Sequence, residues 1–523
     1  MVKHLERLYS IDKASLDVMH LQHLREALMI QGSQKDYAGN LPPPYPLYEE
    51  SELSIRGPKF AMRELCGVED ENAEFCGIPI SPDVQFTGTL RAERFQPDAT
   101  SAVLSDLRAH GGAILVLGCG LGKTVNAIYC WIRLGVKALL IAHKVFLLDQ
   151  WQERLAQFAP NARIGVIRGQ EINIDECDIV LATMQSLSQI SYDPAMFASF
   201  GMVIVDEAHR VCAKTMSRCL PVVASRYMLA LSATPQRKDG ADAVLYHYFH
   251  RVSFERHREH EQANVQLLHM QGGPRKEHWV FLAGGAKRLN FSRMVTELTT
   301  SALRNKLIVD VVVQACEEQR KVLLLSDRRA HLENLYQLLQ GALAHIRHPM
   351  DEAEAEAERA KWAVPELAEL TRVPVVDFYV GQRKKEELKR AESADVILAT
   401  YQMAQEGLDI SPPPDTLILS TPKADIVQSV GRVMRDATTE GALPRIIDVV
   451  DSWSLFLGLA SKRRSLYISR KYNQQHFDFG ANGDAQVRAA TPQAYAEEDR
   501  EAQLFYEQQQ LAEGNFGDIT CPF

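Results

Sequence analysis

Short apolar runs recur through the middle of the chain. "AILVL" (113–117), "ALLIA" (138–142), "DIVLA" (178–182), "MVIV" (202–205) and "MLAL" (228–231) are apolar almost throughout, a pattern that predicts strands buried on both faces. The stretches between them have a different period. "KTVNAIYCWIRL" (123–134), closed by Gly135, and "FLLDQWQERLAQF" (146–158), with Trp151, Leu155 and Phe158 on one face, predict helices. Strands of this kind alternating with helices predict a parallel sheet covered on both sides. The same grammar restarts in "KVLLL" (321–325), "VVDFYV" (375–380), "DVILA" (395–399), "TLILS" (416–420) and "IIDVV" (446–450). The expected fold class is therefore α/β, with two such domains in tandem.

The polar, irregular stretch 251–279 is expected to hold the joint. This gives an accessory N-terminal region over 1–85, a first domain over 86–257, a second over 258–472 and a polar tail over 473–523, expected to be partly disordered. Within the accessory region "LPPPYPLYEE" (41–50) reads as a proline-rich connector. The acidic, alanine-rich stretch at about 341–372 reads as an insertion in the second domain, forming a solvated helix.

Composition narrows the function classes. The net charge of −9 argues against a histone-like basic binder but leaves room for a local basic groove. The nine cysteines include no C-x-x-C pair, so neither a zinc ribbon nor a disulfide framework is expected. The irregular spacing of His247, His250, His257 and His260 argues against a metal site there. The N-terminus lacks the apolar core of a signal peptide and no apolar run reaches a membrane span, so a soluble intracellular protein is expected.

The chemistry begins at "LGCGLGKT" (117–124), placed between a predicted strand and a predicted helix. That context suits a phosphate-binding loop, in which Gly118, Cys119, Gly120, Leu121 and Gly122 offer backbone N–H groups and the helix N-terminus adds its dipole. Lys123 would neutralise the β- and γ-phosphates, and Thr124 would place a hydroxyl on Mg2+. Leu117 stands where the strict pattern has glycine, but it occupies the strand end rather than the cradle. Downstream, "VIVDEAHR" (203–210) ends a buried strand in two adjacent carboxylates. Asp206 would hold Mg2+, and Glu207 would orient and deprotonate water, as hydrolysis of a phosphoanhydride requires.

These residues resemble a family. "DEAH" followed by "LSATPQRKDG" (231–240) resembles motifs II and III of the superfamily 2 helicases, and the segment from Val205 to Gly240 resembles the XPB-type and phage UvsW-type branch. Viral transcript-release helicases look similar too. "IAHKVFLLDQW" (141–151) and "LATMQSL" (181–187) resemble motifs Ia and Ic. "LLLSDRRAHLENL" (323–335), "FYVGQRKKEE" (378–387), "ATYQMAQEGLDI" (399–410) and "DIVQSVGRVMRD" (425–436) resemble motifs IV, IVa, V and VI. The resemblance spans roughly 86–450 and implies two RecA-like domains with ATP and Mg2+ bound between them.

It also implies roles. Gln96 resembles the glutamine that reads adenine, although "LRAERFQ" is longer than the usual L-R-x-Y-Q and a surface glutamine is the alternative. Arg432 and Arg435, at i and i+3, resemble arginine fingers, with Gln428 one turn earlier on the same face. Gly407 and Asp409, with Glu406, would link the nucleotide to the nucleic-acid track. Lys144, Thr183 and Gln185 in the first domain would contact the nucleic-acid backbone, as would Gly381, Gln382, Thr400 and Gln402 in the second. His209, Ser232, Ala233 and Thr234 would couple the two sites. The basic runs in "GQRKKEELKR" (381–390) and "SKRRSLYISRK" (461–471) would add salt-dependent affinity. The expected activity is an ATP-dependent DNA helicase with 3′→5′ polarity. A double-strand translocase that releases transcripts or displaces RNA polymerase, an RNA helicase, and a nucleotide-dependent DNA scaffold are the alternatives. No membrane partner is expected, and other partners would be transcription or repair proteins.

Overall fold

The computed structural model describes residues 8–32, 41, 43–67, 77–118, 120–223, 225–235, 240–256, 262–281, 287–350, 371–406, 410, 412–433, 443–480 and 485–487. The chain forms two compact units, one reaching to Arg258 and the other starting at Glu259.

The first unit is built on an eight-stranded sheet. Its spatial order is Val252–Arg256, Gly112–Leu117, Tyr227–Ser232, Met202–Val205, Ala138–Ala142, Ile179–Thr183, Ile164–Arg168 and Glu171–Asn173. All neighbours are parallel except the last pair. Alternate residues of the central strands enter two separate cores. Ile114, Val116, Leu139, Ile141, Val203 and Val205 face one, while Ala113, Leu115, Leu117, Leu140, Met202 and Ile204 face the other. Both faces are thus covered by apolar side chains, which is why the strands are continuous apolar runs.

The second unit repeats the architecture. Its order is Val376–Tyr379, Val396–Thr400, Val322–Ser326, Thr416–Leu419, Arg445–Asp451, Asn264–Met270, Asn473–Phe479 and Ala485–Val487, parallel except at the last pair. Two cores again flank the sheet. Each unit therefore has the α/β class read from the periodicity. No helix among the described residues is long and apolar enough to cross a membrane.

Both expected boundary regions contain strands. Within the stretch 251–279, Val252–Arg256 joins the first sheet and Asn264–Met270 lies inside the second, and the division between the units falls between them. At the head of the expected tail, Asn473–Phe479 pairs along the full length of Asn264–Met270. Both strands carry a histidine that breaks the apolar pattern. His269 and His476 are buried and hydrogen-bonded to each other at 2.9 Å, so two polar residues satisfy one another inside the sheet. The proline-rich segment is packed rather than loose. Tyr45–Pro46 pairs with Met29–Ile30, Leu47 enters the first unit's core, and the Tyr45 hydroxyl donates to the Cys212 carbonyl at 2.7 Å. The accessory region thus shares a compact unit with the first sheet.

Most of the acidic insertion, 351–370, lies outside the described residues, as does 488–523. His348–Pro349 and Thr371–Arg372 pair antiparallel where the insertion leaves and returns.

Candidate nucleotide-hydrolysis site

In a parallel sheet every strand delivers its carboxyl end to the same edge, where ligands are ordinarily bound. Here that edge collects Gly118–Thr124, His143–Lys144, Thr183, Asp206–Glu207 and Ser232–Thr234 from five strands.

The loop after Leu117 enters the helix Lys123–Leu134 through Gly122, which has φ +89°. Gly120 is also left-handed, at φ +79°. The loop's backbone is fastened at several points. The Gly118 N–H donates to the Arg256 carbonyl at 3.0 Å, and Arg94 Nη1 donates to the Gly120 carbonyl at 3.2 Å. Lys123 Nζ donates to the Leu117 carbonyl at 3.1 Å. Cys119 lies outside the described residues.

Gln96 is 3% exposed, which removes the surface alternative. Its Nε2 donates to the Leu121 carbonyl at 3.3 Å, and its Oε1 accepts from the Arg91 N–H at 2.9 Å. Gln96 therefore braces the loop from beneath. A Cβ added to Gly122 would stand 2.3 Å from Gln96 Nε2. Gly122→Ala should then combine a disfavoured backbone with the loss of that brace. ATP affinity, measured by fluorescent-nucleotide titration, is expected to fall about tenfold or more.

Asp206 follows the strand Met202–Val205 and is 9% exposed. Its Oδ2 accepts from Trp151 Nε1 at 2.8 Å, and its Oδ1 accepts from the Glu207 N–H at 2.9 Å. Burial, then the Glu207 charge, push its carboxyl above the usual range, while Trp151 and the Lys123 ammonium pull it back. Glu207 itself is left-handed, at φ 47°, which turns its side chain away from the strand direction. His209 Nδ1 lies 3.5 Å from Glu207 Oε2. Ser232 is buried and its Oγ accepts from the Thr234 N–H at 3.2 Å, while Ala233 is buried and Thr234 is exposed. Burial, then the Arg210 and Lys144 charges, hold the nearby His143 imidazole down at about 4.

Trp151 is a residue that the sequence marks only as the apolar face of a helix. Its indole N–H is the one side-chain donor recorded on Asp206 among the described residues. Trp151→Phe keeps most of the apolar bulk and removes that donor. A hydrogen bond to a charged group contributes about 1.5–3 kcal/mol. The apparent Mg2+ requirement of turnover should rise about tenfold, read from ATPase rates across a Mg2+ titration.

The arrangement fits a nucleotide triphosphate and a divalent cation. Two left-handed glycines open the loop where a Cβ would intrude, a helix N-terminus faces it, and a buried carboxylate shares its field with Lys123.

Comparison with known proteins points the same way. The family "Type III restriction enzyme, res subunit" matches residues 89–237. "Putative ATP-dependent RNA helicase" of Acanthamoeba polyphaga mimivirus is 30% identical over 440 residues, covering 83% of this chain and 78% of that protein. This chain belongs to the superfamily 2 helicases. "Putative helicase" of Invertebrate iridescent virus 6 is 27% identical, covering 73% of this chain and 81% of that one. The crystal structure of T4 UvsW aligns over 88% of this helicase and 96% of its own chain, at 15% identity and a TM-score of 0.33.

Membership of that family makes the helicase an ATP-hydrolysing enzyme. Its remaining candidate residues sit as follows. Thr183 and Thr400 each end a strand and cap the next helix. Thr183 Oγ1 accepts from the Ser186 N–H at 3.2 Å, and Thr400 Oγ1 accepts from the Met403 N–H at 3.4 Å. Gln185 and Gln402, two residues on, are exposed. Lys144 precedes the helix Val145–Phe158 and is half-buried. The Gly381 carbonyl and Gln382 Oε1 both accept from Arg329. Gln428 and Arg432 lie on the helix Val427–Val433, with side chains outside the described residues. Arg435, Gly407 and Asp409 fall wholly outside them.

Parts of the two basic runs are already engaged. Arg383 and Arg390 pair with Asp377 at 3.1 and 2.8 Å, and Arg463 is buried against Asp448. These three arginines therefore hold the second unit together before they can add to a binding groove.

Proposed function

We propose that this helicase acts on DNA, coupling ATP hydrolysis at the Gly118–Thr124 loop to 3′→5′ movement along, or separation of, its strands. The observation that carries the hydrolytic part is the convergence of Lys123, Asp206 and Glu207 on one sheet edge, with the Lys123 charge felt at Asp206. Lys123 holds the phosphate charge, Thr124 and Asp206 hold Mg2+, and Glu207 takes the proton of the attacking water. Bound Mg2+ supplies neutralisation of the phosphate oxygens. Gln96 reads the base, while Gln428, Arg432 and Arg435 stabilise the transferring phosphoryl group. His209 and Ser232–Thr234 in the first unit, and Gly407 with Asp409 in the second, relay nucleotide state to the strand. Gln185 and Gln402, exposed at matching places after their strands, contact the phosphate backbone together with Lys144, Thr183, Thr400, Gly381 and Gln382.

DNA is supported by the motif resemblance to the XPB-type and UvsW-type branch. RNA is the second reading, favoured by the name of the mimivirus relative. ATPase rates with single-stranded, duplex and forked DNA and with RNA decide between them: stimulation by RNA alone sinks the DNA reading. Strand displacement on forked DNA beside triplex displacement on blunt duplex then separates unwinding from double-strand translocation.

A further inference from the structure

A two-stranded ribbon of the second unit is not used by any step above. Trp279–Phe281 pairs antiparallel with Lys287–Leu289, in the register Trp279 with Leu289, Val280 with Arg288 and Phe281 with Lys287. Opposed residues share a face, so Trp279, Phe281, Lys287 and Leu289 lie on one side. Leu289 is buried, its cross-strand partner Trp279 is 40% exposed at the same end, and Phe281 at the other end is 72% exposed. Lys287 Nζ sits 5.7 Å from the Phe281 ring centroid.

The ribbon's base is fixed. His278 is buried and its Nε2 lies 2.6 Å from Glu297 Oε1, on the helix Phe291–Thr299. The Asn290 N–H donates to the His278 carbonyl at 2.6 Å. Ser454 Oγ donates to Glu277 Oε1 at 2.7 Å, which engages the one acid of the segment.

Charge selects the partner. Residues 274–293 hold five Lys and Arg against one Glu, in a chain whose net charge is −9. Arg275, Lys276 and Lys287 are exposed, and of these Lys287 lies over a ring. Two exposed aromatic rings in a locally basic segment, one of them with a lysine ammonium over it, suit a polyanion that also offers flat apolar faces. Their spacing refines this. Alternate residues on a strand stand about 6.8 Å apart, roughly twice the ~3.4 Å rise per nucleotide of a duplex strand. Stacked bases inside a duplex are closed to such rings, whereas the bases of an extended single strand can spread onto them.

We propose that this ribbon is a stacking platform for single-stranded DNA, with bases on Trp279 and Phe281 and phosphates on Lys287 and the exposed Lys276. It rests on the reading of the helicase as DNA-acting and adds a contact outside the sheet edges that carry the candidate phosphate contacts.

The test uses the full chain carrying Trp279→Ala and Phe281→Ala, with fluorescein-labelled oligo(dT), the corresponding blunt duplex and oligo(U) as probes. Loss of a stacked base costs about ten- to a hundredfold in affinity. The variant should bind oligo(dT) about thirtyfold more weakly, bind the duplex nearly as well as wild type, and keep its ATPase rate without nucleic acid. Trp279→Phe should retain most of the oligo(dT) affinity. Lys287→Gln should reduce the salt slope of binding by about one. Equal oligo(dT) affinity in wild type and double variant overturns the platform while leaving the proposed function standing. A wild type that binds no DNA overturns both. A loss confined to oligo(U) reassigns the platform to RNA, and unchanged binding with altered sedimentation assigns the rings to a second copy; either result overturns the proposal.

Discussion

Replacing Lys123 by alanine should reduce the nucleic-acid-stimulated ATPase rate by about 10²–10³-fold, the usual consequence of deleting a preorganised charge or donor from a transition state. Lys123 opens the helix Lys123–Leu134 and its ammonium lies near enough to Asp206 to favour the ionised carboxyl. Its side chain is half-buried and, among the described residues, bonds to the Leu117 carbonyl at 3.1 Å, so its removal opens no large cavity. The fold should therefore survive, and the melting temperature should stay within a degree or two. Binding of DNA without nucleotide should also persist, because Lys123 is not among the proposed backbone contacts at Thr183, Gln185, Thr400 and Gln402. The check is a steady-state ATPase titration with DNA on wild type and variant, with circular dichroism melts alongside. Equal rates in the two proteins would falsify the hydrolytic role, and would favour a scaffold that binds nucleotide without using it.

The candidate nucleotide loop and carboxylate pair stand out in the sequence because each depends on local features. Two glycines and a lysine at fixed spacing, between a strand and a helix, need no distant partner to be recognised. The strands are legible for a related reason. Burial on both faces forces apolar residues at consecutive positions, and Leu139, Leu140 and Ile141 show this in three residues. What escapes is whatever depends on partners far along the chain. His269 makes Asn264–Met270 look polar, yet His476, 207 residues later, satisfies it. Trp151 reads as core until Asp206, 55 residues on, is placed against its N–H. Arg463 reads as part of a surface run until Asp448, on the strand Arg445–Asp451, is placed 2.8 Å from its Nε. Propensity and period report the neighbours in sequence, and a buried polar pair is defined by neighbours in space.

That last pair carries the largest expected effect on stability. Arg463, on the helix Leu455–Ser469, is 2% exposed. Its Nε donates to Asp448 Oδ2 at 2.8 Å, and its Nη1 donates to the Lys423 carbonyl at 2.8 Å. The Tyr467 hydroxyl donates to the same carboxylate oxygen at 3.0 Å. Arg463→Leu leaves Asp448 as a buried carboxylate deprived of its counter-charge. Such a deletion ordinarily costs about 3–5 kcal/mol, far more than an exposed pair, because the remaining charge keeps its desolvation penalty. The melting transition of the second unit should drop by roughly 10 °C. The double change Arg463→Leu with Asp448→Leu should recover part of the loss, since no charge is then stranded. The effect should also reach function. The Lys423 carbonyl held by Arg463, the Ser420 carbonyl held by Arg304 and the Thr421 carbonyl held by Tyr401 all lie on the segment between the strand Thr416–Leu419 and the helix Val427–Val433. That helix bears Gln428 and Arg432. Three buried donors thus fix the approach to the proposed arginine fingers, and loosening one should lower stimulated ATPase even at temperatures where the second unit remains folded. An Arg463→Leu protein with wild-type melting and wild-type turnover would show that the pair is dispensable for both.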